Sequence, residues 1–315
     1  MKGDIKMNEN GLNVLSLFDG IGGGRCALDR AGIKVNGYHA SEICDYAIKI
    51  AQKNWNDITE IGDVRNVDGT QYNGYLDLLI GGSPCQNFSF AGRMNGASTK
   101  DNIEITSLEQ YLDLKEKGFE FDGYSYLFWE YVRVLKESRP KYFLLENVKM
   151  CKKWQDVITK ALGVEPIMID SKLLSAQSRK RLYWTNIPNV TQPMNKDLTL
   201  KDIVQPTEEK EQYNITDRLN NKKEGTLAYE KAHKAIRTLD QKMRCLMTGQ
   251  NISNSGATNI QYENGEYYKP TPIECERAQT LPDNYTEGLS DTQRYKCIGN
   301  GWTIDVIAHI FNGLK

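Results

Sequence analysis

The chain has 315 residues, enough for one large domain or for a large and a small one with a sizeable buried core. Hydrophobic residues make up 39% and the formal net charge is −1. This near-neutral balance excludes a global basic field for nucleic acid, so any such binding must come from a local patch.

The number and spacing of the cysteines and histidines limit the kinds of site that the chain can form. The seven cysteines are scattered singly, without a CxxC pair, and only three histidines are present. Neither a metal site nor a disulfide framework is therefore expected. The N-terminal segment is polar and no long apolar run occurs, so the sequence predicts a soluble protein of a reducing compartment without membrane association.

From about Leu12 to Ile187, short apolar runs alternate with longer amphipathic stretches. The predicted strands are Asn13–Phe18, Val35–Ala40, Tyr75–Ile80 and Lys141–Leu145, and the predicted helices are Gly23–Ala31, Cys44–Asn54, Ser125–Glu137 and Trp154–Leu162. This alternation predicts a doubly wound α/β sheet, in which ligands bind beyond the carboxyl ends of the strands.

Two segments interrupt the pattern. Met94–Gly123 is long, polar and charged, with a short helix predicted at Thr106–Glu116, and loops of this length often form lids or binding loops. Pro188–Pro270 is polar with weak strand signals and predicts a separate small module. Helical spacing returns at Thr303–Asn312.

A glycine-rich loop, FDGIGGG at 18–24, lies between a predicted strand and a predicted helix. Arg25 stands where the last glycine of a GxGxxG dinucleotide fingerprint would fall. Glu42 ends the next strand, where it could hold ribose hydroxyls, and Asp63 follows in a GDVR run, as an acid suited to an adenine amino group. These pieces favour an adenosine-type cofactor without a phosphate cradle over a glycine turn with capping acids.

Cys85 directly follows Pro84 near the end of a predicted strand, in the stretch GGSPCQ. A lone cysteine is most often a small buried hydrophobe, and the other six fit that interpretation. The scarcity of clustered cysteine and histidine argues against a metal ligand. Its position at the face where α/β sites lie favours a nucleophile.

Two further motifs bring charge to the same face. Glu146 ends a predicted strand, where a carboxyl group suits hydrogen bonding or proton donation to a substrate, although a helix cap is the alternative. In QSRKR at 177–181, strand alternation would place Arg179 and Arg181 on one face, suited to phosphates or a polar site. A solvated edge strand is the alternative there.

These motifs, in this order, resemble those of the DNA (cytosine-5)-methyltransferase family. FDGIGGG is similar to its cofactor loop, SPCQ to its nucleophile motif, ENV to its glutamate motif and QSRKR to its QxRxR motif. TPIECERAQTLPDNY at 271–285 is similar to the stretch that organises the recognition domain, and KCIGNGWTI at 296–304 to the last motif. The resemblance covers about residues 12–190 and 270–315.

The resemblance implies a doubly wound, Rossmann-like α/β methyltransferase domain at residues 8–190 and 271–315. Residues 191–270 would form a small target-recognition domain, with Lys231–Arg244 and Thr248–Asn259 as candidate readers of DNA. Residues 94–123 would form an enlarged catalytic loop that closes over DNA. The compact length is similar to that of bacterial or phage members, although DGI, GDVR and Trp302 are similar to the animal de novo branch.

The resemblance also implies partners and a location. The substrate would be double-stranded DNA, in the cytoplasm of a bacterial or phage-infected cell. A cognate restriction endonuclease would be a partner that activity does not require. S-adenosylmethionine would be the cofactor and S-adenosylhomocysteine its product, with no metal.

Roles for single residues follow from the resemblance. Cys85 would be the nucleophile, and Glu146 would contact cytosine N3 and the exocyclic amine. Arg179 and Arg181 would line the catalytic pocket, with Arg179 the stronger candidate for a base or phosphate contact. The residues implied to surround the cofactor are Phe18, Asp19, Gly20, Ile21, Gly22, Gly23, Glu42, Ile43, Asp63, Val64, Arg65, Pro84, Leu127, Asn300, Gly301 and Trp302.

Two positions depart from the family pattern. Gly301 stands where bacterial members usually have serine, which removes an expected hydrogen bond. Ile43 stands where many have tryptophan, so adenine is expected to pack on an aliphatic face.

The chemistry explains why such residues are needed. Cytosine C5 is a poor nucleophile, and addition of a thiolate to C6 moves electron density to C5. A carboxyl group at N3 neutralises charge that develops on the ring. The target base must leave the duplex, at a cost of a few kcal/mol.

Three other functions compete with this one. A tRNA cytosine-5 methyltransferase would use the same chemistry, but the CFT-like signature of that branch is not evident. A catalytically silent regulator that binds DNA or a partner would not need Cys85, Glu146 and both arginines. A redox Rossmann enzyme would need the phosphate fingerprint that is missing.

Overall fold

The computed structural model describes residues 11–88, 96–250, 252 and 256–315. The strands are β1 (Leu12–Leu17), β2 (Val35–Ser41), β3 (Ile58–Glu60), β4 (Leu78–Gly81), β5 (Tyr142–Val148), β6 (Ile167–Asp170), β7 (Lys180–Thr185), β8 (Ile236–Thr238), β9 (Asn259–Gln261) and β10 (Tyr267–Tyr268). The helices are α1 (Gly23–Arg30), α2 (Asp45–Asn54), α3 (Leu108–Glu116), α4 (Phe128–Ser138), α5 (Lys152–Leu162), α6 (Thr216–Asn220), α7 (Leu227–Lys234), α8 (Pro272–Ala278), α9 (Asp291–Asn300) and α10 (Ile304–Phe311).

The chain divides into two compact units. The first contains the residues up to Ile169, Lys180–Val190 and Ile310–Lys315, and the second contains Asp170–Arg179 and Thr191–His309. The sequence assigned residues 271–309 to the catalytic domain, whereas packing places them in the second unit. The reason is that Cys275 and Tyr295 of α8 and α9 share a buried cluster with Leu200 and Met243.

A seven-stranded sheet forms the centre of the first unit, in the order β3-β2-β1-β4-β5-β7-β6. The five neighbouring strands β3, β2, β1, β4 and β5 pair in parallel, and β7 pairs with β5 in the antiparallel direction. The order reverses between β1 and β4, which is the topological switch point where ligands bind in sheets of this type. The predicted doubly wound sheet is confirmed.

The four predicted strands are all present, with ends shifted by a few residues. Strand β5 continues to Val148, so that Glu146 lies inside the strand and pairs with Tyr183 of β7. The strands β3 and β6 were not predicted, because they are only three and four residues long. Strand alternation was predicted at QSRKR, where β7 begins at Lys180 and continues to Thr185. The six predicted helices are also present with small shifts.

The structure describes the predicted catalytic loop from Gly96 to Gly123, and Met94 and Asn95 lie outside the described residues. The described part packs against the core of the first unit and does not extend over its surface. We call Gly96–Gly123 the insertion. Its helix α3 begins after Ser107, whose side chain accepts a hydrogen bond from Gln110 N. Tyr111 is fully buried in the main core of the unit. Closure of this segment over DNA stays a prediction.

A buried ionic network attaches the insertion to α4. Glu130 is fully buried and accepts hydrogen bonds from Tyr111 Oη at 2.5 Å, Lys115 Nζ at 2.6 Å and Arg133 Nε at 2.7 Å. Arg133 also donates from Nη1 and Nη2 to the carbonyl groups of Val67 and Val64. A buried carboxylate is tolerated only with partners of this kind.

The second unit has small clusters instead of one large core. Its sheet has the order β10-β9-β8, with Ile215, Leu219 and Ala232 buried beside it. The polar run Thr248–Asn259 lies partly outside the described residues, at positions 251 and 253–255.

A buried ion pair lies in this unit. Lys210 Nζ donates to Glu274 Oε1 at 2.5 Å, both side chains fully buried, and the ammonium lies 4.8 Å and 5.2 Å from the ring centroids of Tyr262 and Tyr268. None of the described helices in either unit is long and apolar enough to cross a membrane.

We expect Arg133→Met to lower the free energy of unfolding by about 3 kcal/mol, because it leaves the buried Glu130 carboxylate with fewer partners. Urea denaturation measures this change. Lys117→Met is the matched control, since Lys117 pairs with Asp113 in an exposed i,i+4 contact and its loss costs about 0.5 kcal/mol or less. Equal losses in both variants would contradict a structural role for the network.

Candidate active site and cofactor pocket

The glycine-rich loop after β1 has a backbone that only particular residues adopt easily. Phe18, Gly20 and Gly22 have positive φ values of 59°, 63° and 77°. A Cβ at Gly24 would come within 2.3 Å of the Ile80 side chain, so α1 packs closely on the sheet. A non-glycine residue at positive φ is a strained conformation, of the kind found at ligand sites.

Glu42 connects this loop to the end of β2. Its carboxylate accepts hydrogen bonds from the backbone N–H groups of Gly20 at 2.9 Å, Ile43 at 2.8 Å and Cys44 at 2.9 Å. These three donors fix the orientation of the carboxylate at the switch point. Fixed carboxylates of this kind suit ribose hydroxyls.

A pocket of about 400 Å³, partly open to solvent, lies at this edge of the sheet. Its lining residues are Phe18, Ser41, Glu42, Ile43, Asp63, Val64, Arg65, Tyr124, Tyr126 and Leu127. Seven of these ten were predicted, and Ser41, Tyr124 and Tyr126 were missed. The aromatic pair flanking Ser125, at the start of a predicted helix, was the available signal.

The pocket residues fit an adenosyl group. Ile43 and Tyr124 are 65% and 58% exposed, which is unusual for large apolar side chains and gives a flat ring two apolar surfaces. Glu42 supplies an acceptor for a diol. The contact of adenine with the aliphatic Ile43 stays a prediction.

Asp63 is paired with Arg65, a contact that its predicted role did not include. Both of its carboxylate oxygens accept hydrogen bonds from Arg65, through the backbone N–H at 2.9 Å and through Nε and Nη2 of the guanidinium. This pairing lowers the pKa of Asp63. The contact of Asp63 with an adenine amino group stays a prediction.

Two further carboxyl groups lie behind Glu42. Burial raises the pKa of Asp19 to about 6 and its Oδ2 has no hydrogen-bond partner, while Tyr38 Oη donates to Oδ1 at 2.7 Å. Burial, followed by the charges of Asp19 and Glu42, raises the pKa of Glu60 to about 7, and neither oxygen of Glu60 has a partner. The sequence did not single out Glu60. This negative region favours a positively charged cofactor.

Other predicted cofactor residues do not line the pocket. Asp19, Gly20, Ile21, Gly22 and Gly23 form the loop behind it. Pro84 lies on the segment that leads to Cys85, and Asn300, Gly301 and Trp302 belong to the second unit. As direct cofactor contacts, these residues stay predictions.

Cys85 follows β4 on a segment that is tied to β5. Asn147 Nδ2 donates to the carbonyl oxygen of Ser83 at 3.3 Å and to its Oγ at 3.2 Å. Phe88 N donates to the carbonyl oxygen of Cys85 at 3.0 Å, which closes a turn at the partly buried thiol. Asn147, for which no separate role was predicted, therefore positions the cysteine segment.

Glu146 and Arg181 form an ion pair near the same strand ends. Arg181 Nε donates to Glu146 Oε1 at 2.9 Å, and the two side chains are only 14% and 12% exposed. Tyr183 lies opposite Glu146 in the β5–β7 ladder, so Arg181, two residues away, shares its face as a diagonal neighbour. Parallel pairing of Gly81 with Leu145 brings the end of β4 beside this pair.

Arg179 has a different environment, which corrects one expectation. It is buried, and its guanidinium donates to the carbonyl oxygens of Leu246 at 3.2 Å, Gly299 at 3.0 Å and Gly301 at 3.0 Å. β7 begins at Lys180, so Arg179 precedes the strand and does not share a strand face with Arg181. A base or phosphate contact of Arg179, for which it was the stronger candidate, stays a prediction.

Across residues 11–88, 96–250, 252 and 256–315, no group of three or more His, Cys, Asp and Glu side chains is arranged to hold a metal ion. The fold and the pocket define the class of protein, a doubly wound α/β protein with a ligand pocket at the switch point of its sheet and a glutamate–arginine ion pair near its strand ends.

Comparison with known proteins identifies the family. The family model for C-5 cytosine-specific DNA methylases matches residues 12–315. The chain therefore belongs to this family, an enzyme class of DNA (cytosine-5-)-methyltransferases that use S-adenosylmethionine, as the sequence motifs indicated.

Individual relatives agree. The chain is 29% identical to Type II methyltransferase M1.ScrFI of Lactococcus lactis subsp. cremoris, over 93% of this chain and 75% of that protein. It is 27% identical to Type II methyltransferase M.NlaX of Neisseria lactamica, over 96% of both chains. It is 34% identical to orphan methyltransferase M.SPRI of Bacillus phage SPR, over 62% of this chain and 42% of that protein.

Solved structures share the fold. S. pombe Dnmt2 methyltransferase aligns with a TM-score of 0.71 at 19% identity, covering 96% of this chain and 97% of that one. Entamoeba histolytica methyltransferase EhMeth aligns with a TM-score of 0.72 at 18% identity, covering 98% and 100%. At these identities the likeness concerns the fold alone.

The raised pKa of Glu60 predicts a pH-dependent stability. Its pKa of about 7 in the folded protein exceeds the ordinary value of 4.5, so protonation favours the folded state. This contribution is complete below pH 4.5 and is lost as the pH rises through about 7.

Thermal unfolding between pH 4.5 and 8 tests this. Glu60→Gln should unfold at the same temperature as the unmodified protein at pH 4.5 and at a higher temperature at pH 8. Glu116→Gln, at an exposed position on α3, should show no such pH-dependent difference. A Glu60→Gln effect that is constant across this range contradicts the raised pKa.

Proposed function

We propose that this protein methylates C5 of cytosine in double-stranded DNA through a covalent adduct between Cys85 Sγ and C6 of a flipped-out base. The observation that carries the proposal is that Cys85 and the Glu146–Arg181 pair lie at neighbouring strand ends in the unit that also contains the pocket. Nucleophile, carboxyl group and cofactor site are thus supplied by one sheet.

Each residue has a separate task. The Cys85 thiolate adds to C6, which places electron density at C5. Glu146 hydrogen-bonds N3 and the exocyclic amine and so offsets charge on the ring as the adduct forms. Arg181 holds the Glu146 carboxylate in place through its Nε. Loss of the C5 proton and departure of Cys85 as a thiolate restore the aromatic ring.

The residues that line the pocket would hold S-adenosylmethionine. When bound, it supplies the methyl group that is transferred to C5. Glu42 would accept hydrogen bonds from the ribose hydroxyls, and Ile43 and Tyr124 would pack on the adenine. The carboxyl groups of Asp19 and Glu60 would favour the positive charge of the sulfonium.

The second unit is the proposed reader of DNA sequence. Extrusion of the target base costs a few kcal/mol, which contacts to phosphates and neighbouring bases must supply. A cognate restriction endonuclease is a further proposed partner, one that activity would not require, and both Type II and orphan methyltransferases are among the relatives' names. A tRNA substrate is not favoured, because the family model that matches the chain is that of DNA methylases.

Cys85→Ala should abolish methyl transfer to duplex DNA and the covalent complex with DNA that contains 5-fluorocytosine. Radiolabelled S-adenosylmethionine measures transfer, and denaturing electrophoresis detects the adduct. Cys151→Ala is the matched control, since Cys151 is a partly buried cysteine at the start of α5 in the same unit. Transfer that survives Cys85→Ala would falsify the covalent mechanism, and transfer to tRNA alone would exclude the DNA substrate.

Glu146→Gln and Arg181→Met should each lower kcat by about a hundredfold or more, because both disturb the carboxyl group that hydrogen-bonds the ring. Arg181→Lys should recover part of the loss by keeping the charge. Lys180→Met, at the exposed neighbouring position on β7, should leave kcat unchanged. An Arg181→Met enzyme with normal kcat and a raised KM would mean that Arg181 serves DNA binding and not Glu146.

A further inference from the structure

Two arginines of the second unit lie beside the start of one short strand. Arg237, on β8, lies opposite Ile260 in the parallel β8–β9 pair. Arg244 is attached to the residue just before the strand, because its backbone N–H donates to Thr258 Oγ1 at 3.1 Å. The two side chains are thus anchored to neighbouring points of the same strand, and both are partly exposed.

Their positive charge is not neutralised within the part of the unit that the structure describes. Arg244 Nη1 is buried and has no hydrogen-bond partner. Arg237 Nη1 donates only to uncharged carbonyl groups, those of Lys234 at 3.2 Å and Ile236 at 2.6 Å. The carboxylates that form ion pairs in this unit have other partners, namely Lys196, Lys210, Arg277 and Arg294.

The two guanidinium groups also act on each other. Burial, followed by the charge of Arg244, lowers the pKa of Arg237. Two like charges held close together, one with a desolvated and unpaired N–H group, are unfavourable unless an acceptor completes the site. The exposed cationic residues Lys231 and Lys234 on α7 precede β8 and add positive charge to this segment.

We propose that Arg237 and Arg244 together bind one phosphate of the DNA backbone. The assignment rests on the proposed function, since it takes DNA as the substrate, and it adds a defined contact to that function. An anion is favoured over a base edge because the site lacks negative charge, and a phosphate neutralises both cations, whereas guanine is neutral. Arginine forks match the geometry of phosphate oxygens.

Binding to a random-sequence duplex at several salt concentrations tests the proposal with the whole protein. Arg237→Gln and Arg244→Gln should each weaken binding by about tenfold and reduce the slope of log K against log salt by about 1. In the double variant the slope should also fall by about 1 and not by about 2, because both residues contact the same phosphate. Arg244→Lys should keep the slope of the unmodified protein.

Controls separate this contact from folding and from catalysis. Arg218→Gln removes one exposed arginine from α6 of the same unit and should change the slope by much less. Binding of S-adenosylmethionine without DNA should be unchanged in every variant. Bisulfite sequencing of a methylated library should return the same recognition sequence for the variants as for the unmodified enzyme.

Three results overturn the proposal. Normal affinity and slope in both glutamine variants would exclude the contact, even if Cys85 still forms its adduct. Relaxed sequence preference without a change in slope would mean that the arginines read a base. If the unmodified protein binds no duplex, the phosphate contact and the DNA substrate both fail, whereas failure of the Cys85 adduct alone affects only the covalent mechanism.

Discussion

The buried carboxylate of Glu130 is the constraint on which the first unit depends. A charge without solvent must be surrounded by donors, and Glu130 obtains them from the insertion, through Tyr111 and Lys115, and from its own helix, through Arg133. Arg133 in turn holds the carbonyl group of Val64, which lines the cofactor pocket. One ionised group therefore joins the insertion, α4 and a wall of the pocket into a single packed assembly.

This assembly gives the insertion a structural role that its position in the sequence did not predict. The chain leaves the insertion at Gly123 and supplies Tyr124 and Tyr126 directly to the pocket. Between them, Ser125 is fully buried and its Oγ accepts a hydrogen bond from Asn87 N at 3.0 Å, two residues beyond Cys85. The turn at Cys85 and the wall of the pocket thus share a support, which suits the proposed reaction because it requires both at fixed positions.

The sequence was sufficient where the structure depends on local order. The glycine loop, Glu42, Cys85 and Glu146 each follow or end an apolar run, so strand prediction alone placed them near the carboxyl ends of strands, and their roles stay predictions. The sequence was insufficient where contacts between distant parts of the chain determine which residues are buried and where a strand begins. Nothing in the insertion's polar composition indicated that Tyr111 would be buried, and alternation could not reveal that β7 begins at Lys180. A strand that starts two residues earlier would have put Arg179 and Arg181 on one face.

The two arginines of QSRKR consequently have different physical tasks. The boundary between the units falls between Arg179 and Lys180, so Arg181 acts in the first unit and Arg179 in the second. Arg179 donates to carbonyl groups at the end of α9, where a cation is favoured by the helix dipole and by carbonyls without helical partners. Those carbonyls belong to Gly299 and Gly301, on either side of Asn300. Arg179 therefore fixes the backbone on both sides of Asn300.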